Sequence, residues 1–123
     1  MTRQLIHETS RQLYVLGVRY SMMHLKMAEP DGDPVIAAGC LERATFCATF
    51  QKRLELGQSD KSLMDDVVRL LKDEDDECIR LAKVITATNG DPGLSTEVTR
   101  AANKCGDLAK RLTMAMQLSR QRD

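Results

Sequence analysis

Apolar residues recur along most of the chain at alternating steps of three and four, the spacing of one face of an α-helix. Ile36, Cys40, Cys47, Phe50 and Leu54 share such a face, as do Met64, Val67, Leu71, Cys78, Leu81 and Ile85. Val98, Ala101, Cys105, Leu108, Leu112 and Ala115 form a third face, and Ile6, Leu13, Leu16, Tyr20, Met23 and Met27 a fourth. The run Tyr14–Met23 is rich in Tyr and Val, as a strand is, but its length and its Met, Leu and Arg content favour helix.

Turn clusters separate these stretches. In Glu29-Pro30-Asp31-Gly32-Asp33-Pro34, Pro30 stops one helix, Gly32 permits a turn, and Asp33 caps the next with Pro34 in its first turn. In Gly57-Gln58-Ser59-Asp60, Gly57 suits a left-handed terminus, and Ser59 or Asp60 suits an N-cap. Asn89-Gly90-Asp91-Pro92-Gly93 is a third break, with Asp91 or Ser95 as the following cap. The pattern predicts helices over about 3–28, 34–56, 60–88 and 94–121. Short connections make consecutive helices antiparallel neighbours. The expected fold is all-α: one domain, residues 1–123, forming an antiparallel four-helix bundle.

The first helix carries more apolar residues than one face can use. Beyond its core set it has Leu5, Tyr14, Val15, Val18, Met22 and Leu25. Three neighbours cover only one side of a bundle helix, so a second apolar face is expected to meet another molecule. Full burial of each side chain is worth about 1.5–3 kcal/mol. Tyr14, Val15, Val18, Met22 and Leu25 are the expected interaction residues. The simplest partner is a second copy about a two-fold axis, with Arg11 and Arg19 at the rim. The competing expectation is that this helix is the central one and its own neighbours cover both faces.

Charge does not oppose association. Eighteen Lys and Arg balance eighteen Asp and Glu, for a net charge of zero. That balance gives no reason to expect nucleic acid or an anionic membrane as partner. Arg3, Gln4, His7, Glu8, Arg11 and Gln12 interrupt any apolar core that a secretory leader would need. Cys40, Cys47, Cys78 and Cys105 fall inside expected helices, which points to free thiols and a cytoplasmic setting. All four occupy inward heptad positions. With nearby Met they are the residues of an alternative soft-metal, copper-type site. Their spacing contains no Cys-x-x-Cys, however, and core filling is the ordinary role of such thiols.

Other chemistry is fragmentary. His7 and His24 stand seventeen residues apart on one helix, about 25 Å, too far for one site. His24-Leu25-Lys26 alone does not amount to a phosphotransfer motif. Glu74 and Glu77, within the acidic run Asp73–Glu77, have the Glu-x-x-Glu spacing used to hold magnesium in all-α hydrolases. The second carboxylate pair of such a site is missing, because Glu97 is followed three residues on by Arg100. Arg43 and Glu74 are charges on otherwise apolar seams and are expected to pair across the bundle. Helix four carries Arg100, Lys104, Lys110, Arg111, Arg120 and Arg122 against Glu97, Asp107 and Asp123, a basic excess expected to balance the acidic third helix. The functional expectation is a non-enzymatic interaction module, of adaptor or chaperone-like type, without a cofactor and acting through its first helix.

Overall fold

A computed structural model of the chain has four α-helices: α1 (Arg3–Met27), α2 (Pro34–Glu55), α3 (Lys61–Ala87) and α4 (Pro92–Arg122). The structure describes residues 2–88 and 90–122, without the side chains of 119–122. Asn89, Asp123 and the side chains of Arg120 and Arg122, all invoked from the sequence, lie outside the described residues. The fold is all-α, in the expected order of four helices. It consists of two compact units, one spanning Thr2–Ser59 and one beginning at Asp60. Each is a helical hairpin, α1 packed on α2 and α3 on α4.

In the first hairpin, the Thr2 hydroxyl caps α1 by accepting from the Leu5 N–H at 3.2 Å. His24 and Lys26 sit in the last turn of α1, where positive charge suits the carbonyl end. The connection is tight: a Cβ at Gly32 would overlap the Met27 carbonyl oxygen. Asp33 then caps α2, its carboxylate accepting from Val35 and Ile36 N–H at 2.9 and 3.3 Å. The buried face of α2 is Ala37, Cys40, Ala44, Cys47 and Leu54, small residues except at its end. Against it α1 buries Leu5, Thr9, Leu13 and Leu16. Gly17 brings the backbones close. A Cβ added there would lie 3.4 Å from Cys47 Cβ and 3.9 Å from the Ala44 carbonyl oxygen. Thr9 is fully buried, and its hydroxyl donates to the Leu5 carbonyl of its own helix at 2.7 Å.

In the second hairpin, Asp60 caps α3 by accepting from Leu63 N–H at 3.3 Å. Gly57 just before it has φ +82°, a left-handed conformation that glycine adopts without strain. Of the two candidate caps for α4, Asp91 is used: its carboxylate accepts from Gly93 N–H at 2.8 Å. Helix α4 therefore starts at Pro92, two residues earlier than expected. Leu63, Met64, Val67, Leu71 and Leu112 are the large, fully buried side chains of this unit.

The buried faces are rotated by one residue from several expected positions. Ala37 is buried and Ile36 exposed; Ala44 is buried and Arg43 only half-buried; Ala82 is buried and Leu81 exposed. Ala102 likewise takes the place expected of Ala101. On α1, Met23 is exposed, Ile6, Tyr20 and Met27 are half-buried, and Leu5, expected on the second face, is buried. The physical reason is helix proximity. Closely approaching backbones select small side chains for the line of contact and displace bulky ones to its flanks.

Candidate functional site

The outward face of α1 holds the candidate site. Tyr14 is 57% exposed, Val15 37%, Val18 42%, Met22 66% and Leu25 69%. These are the five side chains expected to form a second apolar face. The opposite face of the same helix is occupied by its packing on α2. Tyr14, Val18, Met22 and Leu25 follow one another at steps of four, four and three, so they form one stripe along the helix. Val15 flanks it.

The stripe continues in both directions as charge. Arg3, His7 and Arg11 each stand eleven residues before Tyr14, Val18 and Met22 respectively. Eleven residues carry a helix about 20° past three full turns, which keeps these pairs on one line. All three are exposed. They border an open groove of about 510 Å³, whose other wall is Gln51, Leu54 and Glu55 at the end of α2. Glu29 stands eleven residues after Val18. It follows directly on the cap residue Ala28, whose backbone is still right-handed helical at φ −80°, ψ −8°. Asp31 and Asp33 come next, and all three carboxylates are exposed. Along the line of the helix the series therefore runs from Arg3, His7 and Arg11 through the apolar stripe to Glu29, with Lys26 exposed beside that end; Asp31 and Asp33 belong to the connection, Asp33 capping α2.

The two histidines have separate fates. His7 is exposed within the basic segment. His24 is half-buried, and its Nδ1 lies 2.7 Å from the Ala37 carbonyl oxygen. A carbonyl only accepts, so Nδ1 carries the proton and His24 ties the end of α1 to the start of α2. Arg43 reaches Tyr20 in the same hairpin: its Nη1 is 3.5 Å from the phenol oxygen, and its guanidinium carbon lies 5.7 Å from the ring centre.

The four cysteines are free and buried. Cys40 and Cys47 belong to the α2 contact face; Cys78 and Cys105 are buried in α3 and α4. Cys78 Sγ lies 3.7 Å from a carboxylate oxygen of Glu74, as a thiol donor one turn away. Among the described residues, no group of three or more His, Cys, Asp or Glu is placed to hold a metal ion. Glu74 and Glu77 do not share a surface. Glu74 is buried, whereas Glu77 is exposed and pairs with Arg80 at 2.6 Å. Other ion pairs also run along single helices, Arg69 to Asp66 and Arg111 to Asp107.

The apolar part of the stripe was legible as a surplus in the amino-acid pattern. Of its charged ends only Arg11 was named from the sequence, as a rim residue; the eleven-residue spacing is the signal that marks Arg3, His7 and Glu29. Among the described residues no helix is long and apolar enough to cross a membrane. No family model, curated protein or solved structure matches the chain.

Proposed function

We propose that this chain is a non-enzymatic protein–protein interaction module that receives its partner on the outward face of α1. One observation carries the reading: five large apolar side chains stand exposed on successive turns of a helix whose other face is already packed. Scaling full-burial values by the exposed fraction, covering them is worth about 1 kcal/mol per side chain. Several such contributions together help to offset the entropy lost on association. Met22 adds adaptability, since an unbranched thioether repacks against varied surfaces. The free thiols support a reducing, cytoplasmic setting for this activity.

Affinity capture from cell extract tests the reading, comparing the wild type with Val18→Glu/Met22→Glu and with a control, Leu94→Glu, on exposed α4 surface. The expected result is a bound protein, a second copy of the chain included, that the double variant loses and the control keeps. Helicity should be unchanged, because neither position packs in the core. If every protein captured by the wild type is retained by the double variant, the reading fails.

A further inference from the structure

The order of chemistry along α1 says what the partner is. Arg3, His7 and Arg11 lead; Tyr14, Val18, Met22 and Leu25 occupy the middle; Glu29, whose N–H still bonds the Lys26 carbonyl just past the end of the helix, closes the series. Such a series complements itself when reversed. We propose that the outward face of α1 pairs with the same face of a second copy, antiparallel, about a two-fold axis at the level of residue 20. The proposal rests on the interaction reading above and specifies its partner and geometry.

Three features converge on that axis. A rotation there sets residue 18 against residue 22 of the partner, so Val18 meets the partner's Met22 and the reverse. It sets Tyr14 within one residue of the partner's Leu25. It sets Arg11 level with the partner's Glu29, and His7 and Arg3 beyond the end of the partner's α1. One operator thus places apolar on apolar and opposite charges at both ends, as an isologous contact requires. A parallel arrangement would stack Arg11 on Arg11 and His7 on His7, and charge at the flanks of paired helices decides orientation. The eleven-residue repeat also fits a nearly straight helix, so the stripe does not wind off the partner along its length. Zero net charge leaves the two copies without overall repulsion.

Light scattering coupled to size exclusion supplies the first test. The wild type should be a dimer at tens of micromolar. A monomer at high micromolar concentration overturns self-pairing, whereas the capture experiment judges the interaction face independently. The second test addresses orientation. Arg11→Glu and Glu29→Arg should each weaken the dimer about tenfold, because each puts like charges together at both ends. An equimolar mixture of the two single variants should recover to within about threefold of the wild type, since every mixed dimer contains two opposite-charge pairs. Both sites are exposed, so the fold is spared, and far-UV circular dichroism checks this. A mixture no tighter than the single variants overturns the register. Cross-linking gives the third readout. Val18→Cys mixed with Met22→Cys should form a disulfide under mild oxidation. Tyr14→Cys with itself should not, because antiparallel pairing separates the two copies by about 18 Å along the helix. Efficient Tyr14→Cys self-linkage would establish parallel pairing and overturn the proposal.

Discussion

Replacing Gly17 separates two effects that the first hairpin holds in balance. Gly17 lies inside α1, where glycine costs about 1 kcal/mol relative to alanine in helix propensity. The added Cβ of Gly17→Ala would rest 3.4 Å from Cys47 Cβ and 3.9 Å from the Ala44 carbonyl oxygen, ordinary van der Waals distances. Contact therefore adds a few tenths of a kcal/mol at most, and propensity decides the sign. Gly17→Ala should stabilise by about 1 kcal/mol, which raises the midpoint of thermal unfolding by about 4 °C. Gly17→Val should do the opposite. Its propensity gain over glycine is only about 0.3 kcal/mol. Its two γ-carbons also have to enter the space between α1 and the Ala44–Cys47 turn, where overpacking costs about 1–3 kcal/mol. Urea and thermal unfolding followed at 222 nm measure both variants. A destabilising alanine, or a valine as stabilising as alanine, would refute the claim that the backbones approach closely at this point with room for one carbon only.

Two further outcomes follow from buried groups and caps. With all four thiols buried, a thiol-specific reagent should react slowly with the native chain and with four equivalents in denaturant; Cys47→Ser should cost about 1–3 kcal/mol by burying a hydroxyl in a fully covered position. Asp33→Ala removes the acceptor of two N–H groups at the start of α2 and should cost about 1 kcal/mol in urea unfolding, recovered in large part by Asp33→Ser.

The helices could be read from the sequence because their boundaries are chemical. Asp33 with Pro34, Gly57 with Asp60, and Asp91 with Pro92 each solve a terminus by local bonding, independent of what packs later. The contact faces were harder. Hydrophobic spacing weighs bulk, so it favours Ile36 and Leu81 over Ala37 and Ala82. Packing weighs distance, and at a close crossing the small neighbour wins. The same bias placed Met23 in the core, although it stands exposed. The outward apolar face of α1 was affected less: of the six residues in excess of one stripe, Leu5 is buried, and Tyr14, Val15, Val18, Met22 and Leu25 stand exposed. Of its charged ends only Arg11 was named, as a rim residue, because Arg3, His7 and Glu29 are unremarkable one at a time and acquire meaning only as a series.

Thr9 has a consequence for how sharply the hairpin is specified. Its hydroxyl is satisfied by the Leu5 carbonyl inside its own helix. So the most deeply buried polar group of α1 expresses no preference among positions on α2. What pins one helix against the other at the crossing is steric relief: the notch at Gly17 and the shallow profile of Ala37, Cys40, Ala44 and Cys47. Directed bonding lies at the end of α1, His24 to the Ala37 carbonyl, so a crossing held mainly by shape fails gradually. Enlarging these small residues would let α1 and α2 slip past one another with every backbone bond intact, leaving a fluid, fully helical state whose side chains no longer agree on a single arrangement.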